Sequence, residues 1–207
     1  IGRDNFLLVD SGGHYMGGTT DITRTVCIGE PSDRMKRDYT LVLRSNIALA
    51  DAIFLSGTGG KSLDMLAREV LWKNGLEFMH GTGHGVGYML SVHEGPNNIS
   101  FRLKQDVAII PGMVTTDEPG IYLEGEYGIR LENELLCVPH SLGEYGDFCF
   151  FECLTLVPFQ RKCIEKSMLT EEELVYLNNY HRTIYDTISP YLNEDEKQWL
   201  REATAEI

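Results

Sequence analysis

The sequence is short of basic residues and has no long hydrophobic run. Its 18 lysines and arginines are outnumbered by 31 acidic residues, which gives a net charge of −13 over 207 residues. Such a balance argues against nucleic acid or an anionic membrane as a partner. Since no apolar stretch approaches the roughly 18 residues of a transmembrane helix, and no secretory signal pattern is recognisable, we expect no membrane association.

The cysteines are few, odd in number and scattered. They are Cys27, Cys137, Cys149, Cys153 and Cys163. No Cys-x-x-Cys pair is present in the sequence, which argues against a zinc ribbon and against a disulfide framework. Free thiols are typical of a reducing compartment, so we expect a cytoplasmic location, with most of these side chains acting as small buried apolar groups.

Turn and cap signals divide the chain into short strands and helices. The segments 6–9 and 19–28 predict a β-hairpin. Helices are expected at 33–54 with Ser32 as cap, at 62–74 with Gly75 as stop, at 171–188 after a capping box at Thr170, and at 194–203. Further strands are expected near 113–116, 120–123, 129–138 and 151–157. Because strands and helices are mixed without strict alternation, the pattern favours the α+β class.

Two aspartates occupy positions where structure alone does not require a charge. Asp10 ends an apolar strand, and Asp21 lies eleven residues later on the expected partner strand. A hairpin can bring two such carboxylates side by side, and a cation between them would relieve their repulsion. Aspartate is also common at strand ends and in turns, so this pattern alone leaves both a metal site and a plain turn open.

Two glutamates follow in later strand-like segments. Glu118 precedes a Pro-Gly pair, where a strand turns sharply, and a surface turn is an alternative explanation for it. In 128–136 the pattern alternates and puts Glu132 on the face opposite Ile129 and Leu131. That face is either functional or the solvated side of an edge strand.

Three of the six histidines, His80, His84 and His93, fall within fourteen residues around a glycine-rich turn. Every second residue from Gly81 to Gly87 is glycine, and such small neighbours let a backbone approach a ligand closely. A ligand or proton-transfer role and a structural role both stay open. The glycines lack the spacing and the Gly-Lys-Ser/Thr ending of a phosphate-binding loop, and no His-Glu-x-x-His motif is present.

Taken together, five segments resemble the signature of the pita-bread metallopeptidases, the family of methionine aminopeptidase, prolidase and Xaa-Pro aminopeptidase. They are VDSGG at 9–13, TTDITRT at 19–25, HGTGHGVG at 80–87, DEPGIY at 117–122 and GIRLEN at 128–133. The resemblance implies an α+β pita-bread (creatinase/methionine aminopeptidase-like) fold, N-terminally truncated, with an antiparallel-rich mixed sheet flanked by helices. Residues 1–158 would form the C-terminal portion of the metallopeptidase catalytic domain, and residues 159–207 a helical C-terminal extension packed on it.

Further segments are similar to the long, eukaryotic-type cytosolic Xaa-Pro aminopeptidases. They are VHEGP at 92–96, FECLTLVP at 151–158 and LNNYH at 177–181. This similarity implies a metal-dependent aminopeptidase that releases the N-terminal residue from peptides with proline in the second position. It also implies a homodimer in the complete enzyme, and a further catalytic histidine and N-terminal domains upstream of Ile1.

The resemblance implies two divalent metal ions, Mn²⁺ foremost, with Zn²⁺ or Co²⁺ tolerated. The implied metal ligands are, in chain order, Asp10, Asp21, His84, Glu118 and Glu132. Asp10 would hold one ion, His84 and Glu118 the other, and the remaining two carboxylates would bridge both ions. A hydroxide shared by the ions would attack the first peptide bond.

Three catalytic roles follow from the same resemblance. Glu118 would shuttle a proton to the leaving proline nitrogen, His93 would bind the substrate carbonyl, and His80 would position the proline side of the substrate. Arg130 would orient ligand carboxylates. The alternatives are a dipeptide-specific prolidase or methionine aminopeptidase on the same fold, and a non-catalytic fragment or pseudopeptidase-like module that binds peptides without metal.

Overall fold

The computed structural model describes residues 2–207, and this part of the chain contains four α-helices and ten strands. The helices are α1 (Asp33–Ala50), α2 (Gly60–Trp72), α3 (Glu171–Ile188) and α4 (Glu194–Ala203). The strands are β1 (Asn5–Tyr15), β2 (Gly18–Ile28), β3 (Ile53–Leu55), β4 (Gly83–His84), β5 (Asn98–Ile99), β6 (Val114–Asp117), β7 (Gly120–Leu123), β8 (Tyr127–Arg130), β9 (Asn133–Gly143) and β10 (Gly146–Cys153).

All strand pairs within the described residues are antiparallel. Strands β1 and β2 form the expected hairpin, in which Asp10 lies opposite Thr23 and Gly12 opposite Asp21. A four-stranded sheet has the order β3-β10-β9-β6, and β4-β5 and β7-β8 are separate two-stranded sheets. Sheets and helices together make the chain α+β, as the mixed pattern predicted.

The starts of the helices were predicted well from the cap signals. The ends of the strands were predicted less well from the apolar runs. Ser32 accepts a hydrogen bond from the Met35 N–H, and Thr170 forms both bonds of a capping box with Glu173. These bonds are local, because a cap satisfies amide groups within its own first turn. A sequence pattern can therefore identify them.

Several expected boundaries are wrong because strand pairing overrides the local pattern. The first strand does not end at Asp10 but continues to Tyr15, since 5–15 pairs with β2 along its whole length. The first helix ends at Ala50 rather than near residue 54, since residues 53–55 form a strand paired with Phe148–Phe150 of β10. The strand expected at 129–138 is interrupted after Arg130 and resumes at Asn133. The last strand begins earlier than expected, because 146–153 pairs with β9 across a tight turn.

The hydrophobic core lies on both sides of α1. One cluster joins Tyr39 and Leu43 of α1 to Ile129 of β8 and Leu177 of α3. The other joins Leu49 of α1 to side chains of α2 and of the four-stranded sheet. Each fully buried leucine of this kind contributes roughly 2 kcal/mol to stability.

The C-terminal helices share the first of these clusters. Leu177, Tyr180, His181 and Ile184 form the buried stripe of α3 at helical spacing. The expected domain boundary between residues 158 and 159 stays a prediction. Within residues 2–207, no helix combines the length and apolar character that crossing a membrane requires.

Candidate metal centre

The five predicted ligand residues come from four separate parts of the fold and meet at one place. Asp10 and Asp21 lie on the same face of the β1–β2 hairpin, as diagonal neighbours in the register. His84 ends the short strand β4. Glu118 stands in the turn between β6 and β7, and Glu132 in the break between β8 and β9.

Ligand atoms of the five predicted residues form two clusters that share Glu132, and a third cluster joins Asp21 and His84 to His93. Oxygen atoms of Asp10, Asp21 and Glu132 lie within 4.8 Å of one another, and so do atoms of His84, Glu118 and Glu132. Nε2 of His84 is 3.5 Å from Asp21 Oδ2 and 3.4 Å from Glu118 Oε1. Glu132 is 2% exposed, so the solvated edge-strand alternative does not hold for it.

The electrostatics of the cluster favour a bound cation. Burial and the neighbouring carboxylates of Glu118, Asp21 and Asp10 together raise the pKa of Glu132 to about 8, although the hydrogen bond from the Thr23 hydroxyl lowers it. Burial likewise raises the pKa of Glu118 to about 7. Carboxylates that resist ionisation for this reason can be ionised together when a cation lies between them.

The donor set also fits two divalent ions. Four carboxylates and one imidazole are the hard oxygen and borderline nitrogen ligands that Mn²⁺, Zn²⁺ or Co²⁺ accept. Burial lowers the pKa of His84, but the hydrogen bonds to Asp21 and to the Gly85 carbonyl raise it overall. Because the Nδ1 atom of His84 lies 3.0 Å from the Gly85 carbonyl oxygen, that atom serves as the donor and leaves Nε2 for a ligand.

A second layer of side chains holds the carboxylates in place. The Thr23 hydroxyl donates to Glu132 Oε2 at 2.6 Å, and the Thr116 hydroxyl donates to Glu118 Oε1 at 3.2 Å. Nη2 of Arg130 donates to Asp10 Oδ2 at 2.5 Å. Arg130 thus contacts the carboxylate of one predicted ligand, and its orienting role stays a prediction.

The glycines around His84 permit its close packing against the sheet. A Cβ atom on Gly83 would collide with the Thr116 carbonyl, and one on Gly85 would collide with the Glu94 carbonyl. Strand β4 can therefore lie directly against β6, and the Gly85–Thr115 bridge extends this contact. The alternating glycines of the sequence thus serve close backbone approach.

His80 lies beside the ligand clusters, whereas His93 lies close enough to Asp21 and His84 to be a ligand itself. His93 is exposed, and its ring centroid is 4.2 Å from that of His84. It lines a cavity of about 450 Å³ together with the ligand residues, and also the adjoining cavity of about 520 Å³. His80 lines the adjoining cavity, where its Nε2 is 2.7 Å from the Tyr122 hydroxyl. Burial lowers the pKa of His80, which favours the neutral ring.

Sequence reasoning assigned no role to Tyr122, Thr23 or Arg24. The Tyr122 hydroxyl lies between His80 Nε2 and Arg130 Nη1, the latter at 3.1 Å. The signal for Thr23 was available, because a residue two positions after Asp21 on a strand shares its face. No local pattern marks Tyr122 or Arg24, because their partners lie on distant segments.

Comparison with known proteins places the whole described chain in one family. The model of metallopeptidase family M24 matches residues 1–139, and the model of the C-terminal region of peptidase M24 matches residues 147–207. Aminopeptidase P1 of Lotus japonicus is 47% identical over 209 residues, covering 99% of this chain and 32% of that protein. A protein of Arthroderma gypseum described as probable Xaa-Pro aminopeptidase P is 45% identical, covering 97% of this chain and 32% of that protein. The chain thus spans about a third of the length of these curated relatives.

Solved structures agree with the expected fold. The X-prolyl aminopeptidase of Caenorhabditis elegans, described as a cytosolic enzyme with a di-nuclear active site, superposes with a TM-score of 0.92 and 44% identity over 98% of this chain and 34% of that one. The prolidase of Pyrococcus furiosus superposes with a TM-score of 0.62 and 32% identity over 73% of this chain and 42% of that one. The expected α+β pita-bread fold is confirmed.

Proposed function

The chain belongs to metallopeptidase family M24, and we propose that the intact protein is an aminopeptidase that releases the N-terminal residue from peptides with proline in the second position. One observation carries the proposal: two clusters of ligand atoms share Glu132 beside a cavity of about 450 Å³. The names of two relatives, aminopeptidase P1 at 47% identity and probable Xaa-Pro aminopeptidase P at 45%, support the proline specificity.

The proposed ligand assignment divides the five residues between two ions. Asp10 would hold the first ion, and His84 with Glu118 would hold the second. Asp21 and Glu132 would contribute to holding both. The sharing of Glu132 between the two clusters supports its bridging role, and the 3.5 Å approach of Asp21 Oδ2 to His84 Nε2 supports the bridging role of Asp21.

A pair of bound divalent ions supplies a water molecule of lowered pKa at neutral pH. The chain's own part in the proposed reaction begins with Glu118, whose carboxylate takes the proton of the attacking water and delivers it to the proline nitrogen as the peptide bond breaks. Its position supports this role, because Glu118 lines both adjoining cavities and is held by the Thr116 hydroxyl.

The two further histidines bind and orient the substrate in this proposal. His93 donates a hydrogen bond to the carbonyl oxygen of the first residue as negative charge develops there. His80 positions the proline side, with its ring oriented by the Tyr122 hydroxyl. The neutral ring of His80 suits a site that accepts an apolar proline ring.

Several finer points belong to the same proposal. We propose Mn²⁺ as the metal, because four of the five ligands are hard oxygen donors. Cytoplasmic location is supported by five free cysteines, four of them buried, and by the cytosolic description of the C. elegans neighbour. A homodimer is supported by strongly exposed apolar side chains near the C-terminus, such as Tyr191 and Trp199.

Metal analysis joined to a peptide assay tests the proposal on the intact protein. We expect two divalent ions per chain, release of the N-terminal residue from a Xaa-Pro tripeptide, and loss of turnover with a chelator that added Mn²⁺ reverses. Turnover of Gly-Pro without turnover of the tripeptide would indicate a prolidase instead. Peptide binding without metal and without turnover would indicate the non-catalytic peptide-binding alternative.

A further inference from the structure

Glu132 occupies an irregular segment, although the proposed function requires its carboxylate to be placed accurately. Strand β8 ends at Arg130 and β9 begins at Asn133, so residues 131–132 belong to neither strand. No ladder of the sheet therefore fixes the main chain of Glu132. Its position depends on hydrogen bonds from neighbouring elements.

Strand β2 supplies these bonds. The Glu132 N–H donates to the Thr23 carbonyl at 3.0 Å. The Glu132 carbonyl accepts from Nη1 of Arg24 at 2.6 Å. The Thr23 hydroxyl also donates to the Glu132 carboxylate. Two successive residues of one strand, Thr23 and Arg24, therefore hold both the main chain and the side chain of Glu132.

The Arg24 guanidinium is held in turn by the C-terminal region. Nη2 donates to the Val157 carbonyl at 2.7 Å and to the Tyr180 hydroxyl at 3.0 Å, and the guanidinium carbon lies 4.4 Å from the centroid of the Phe159 ring. The remaining bonds go to the Asn133 side chain at 2.7 Å and to the Thr23 carbonyl at 2.9 Å. Arg24 is 9% exposed, and every acceptor is a neutral oxygen.

Tyr180 completes the connection from α3. Its hydroxyl contacts the Val157 carbonyl at 2.8 Å and the Thr155 carbonyl at 3.0 Å, besides Arg24. A planar guanidinium with this many fixed partners has little freedom to move. Its Nη1 atom therefore presents a fixed donor to the Glu132 carbonyl.

We infer that Arg24 and Tyr180 are positioning residues, through which the C-terminal region 147–207 orients Glu132 for metal binding. This inference rests on the proposed function, because it assumes that Glu132 is a ligand. It assigns the C-terminal region a role in the metal centre although none of the five predicted ligands lies within that region. Residues that hold a metal ligand in this way typically change metal affinity about 10- to 100-fold when they are altered.

Substitution of Tyr180→Phe and Arg24→Lys in the intact protein tests the inference. The first change removes a single hydroxyl from the network, and the second keeps the charge but loses the planar set of donors. The chain offers a control pair in Tyr185→Phe and Arg201→Lys, since Arg201 of α4 donates to the Tyr185 hydroxyl of α3 at 2.9 Å and neither residue contacts the predicted ligands. Mn²⁺ dissociation constants are measured by calorimetric titration of the chelator-stripped protein, with thermal unfolding measured in parallel without metal.

We expect Mn²⁺ binding to weaken about 10-fold in Tyr180→Phe and by up to about 100-fold in Arg24→Lys, with no change in either control. The double variant should bind no more weakly than Arg24→Lys alone, because the hydroxyl acts through the guanidinium. If Arg24→Lys does not fold, Tyr180→Phe decides the matter. An unchanged dissociation constant in folded Tyr180→Phe overturns the inference, whereas an unmodified protein that binds no metal overturns the proposed function instead.

Discussion

The Thr23 hydroxyl donates a 2.6 Å hydrogen bond to Oε2 of Glu132, although the two residues are 109 positions apart in the chain. The bond is buried, and the Thr23 side chain is on the same face of β2 as Asp21. One strand thus carries both a predicted metal ligand and a hydroxyl group that is bonded to another predicted ligand. Removing the hydroxyl is the most direct test of this arrangement.

We expect Thr23→Val to weaken Mn²⁺ binding about 10-fold and to lower the free energy of unfolding by about 1 kcal/mol. The shape of the side chain is nearly kept, so the loss reports the hydrogen bond. Calorimetric titration and urea unfolding measure the two quantities. Thr183→Val on the exposed side of α3 is the control, and equal metal affinity in both variants would contradict the role of Thr23.

Glu132→Gln should have opposite effects with and without metal. Burial and neighbouring carboxylates raise the folded-state pKa of Glu132 to about 8. The stability that its proton provides is complete below the unfolded pKa near 4.5 and is lost as the pH rises through about 8. In chelator at pH 9, the variant should therefore be more stable than the wild type by roughly 5 kcal/mol.

With Mn²⁺ present, the order should reverse, because the amide is a poorer metal ligand than the carboxylate. Thermal unfolding at several pH values, with chelator or with Mn²⁺, measures both effects. Glu152→Gln, which changes an exposed carboxylate, is the control for net charge. A variant that still binds two ions per chain would remove Glu132 from the ligand set.

His93→Ala separates a substrate-binding role from a metal-binding role. The ring lies 4.2 Å from that of His84, and its nitrogen atoms come within reach of Asp21 and His84. If His93 stabilises charge on the substrate carbonyl, kcat on a Xaa-Pro peptide should fall about 100- to 1,000-fold with two ions still bound. Loss of an ion from the variant would show that His93 is a ligand, and His140→Ala serves as the exposed control.

His181 should make the fold sensitive to mild acid. Its side chain is fully buried with no hydrogen-bond partner on either nitrogen among the described residues. Burial and, to a smaller extent, the charges of Arg161 and Arg24 together lower its pKa to about 4. Because the unfolded pKa is near 6.5, its contribution to stability is complete above that pH and is lost as the pH falls from 6.5 to about 4.

His181→Leu should remove this part of the pH dependence. The wild type should lose about 3 kcal/mol more than the variant between pH 7 and pH 4, measured by urea unfolding in the presence of chelator. Using the difference between the two proteins cancels the opposing titration of the buried glutamates. If the free energy of unfolding changes equally with pH in the wild type and the variant, His181 is not the group that makes the fold sensitive to acid. His140→Leu, which changes an exposed histidine, is the control.

Local signals were sufficient for much of the secondary structure. The caps at Ser32 and Thr170 predicted the starts of α1 and α3, and both are confirmed. The hairpin of β1 and β2 is likewise confirmed. Boundaries that depend on a distant partner were predicted poorly, and strand β3 is the example, because residues 53–55 form a strand through pairing with β10.

The family and the order of the candidate ligands could be determined from the sequence alone. Five motifs in the same order as in a known family are more specific than any single carboxylate or histidine, and the family is confirmed by the match over residues 1–139. The ligand roles themselves stay predictions. Residue types and their spacing along the chain do not give the distances between the side chains in the folded protein. A solvated face and a buried site therefore have the same sequence pattern.

Only the tertiary structure decided that Glu132 is buried at a break between two strands, and that Arg24 connects it to Tyr180 of α3. The physical reason is the range of the interactions. Caps and hairpin turns are made by neighbours in the chain, so residue type and spacing predict them. The hydrogen bonds that orient a ligand join residues more than 100 positions apart, and the folding of the whole chain brings these residues together.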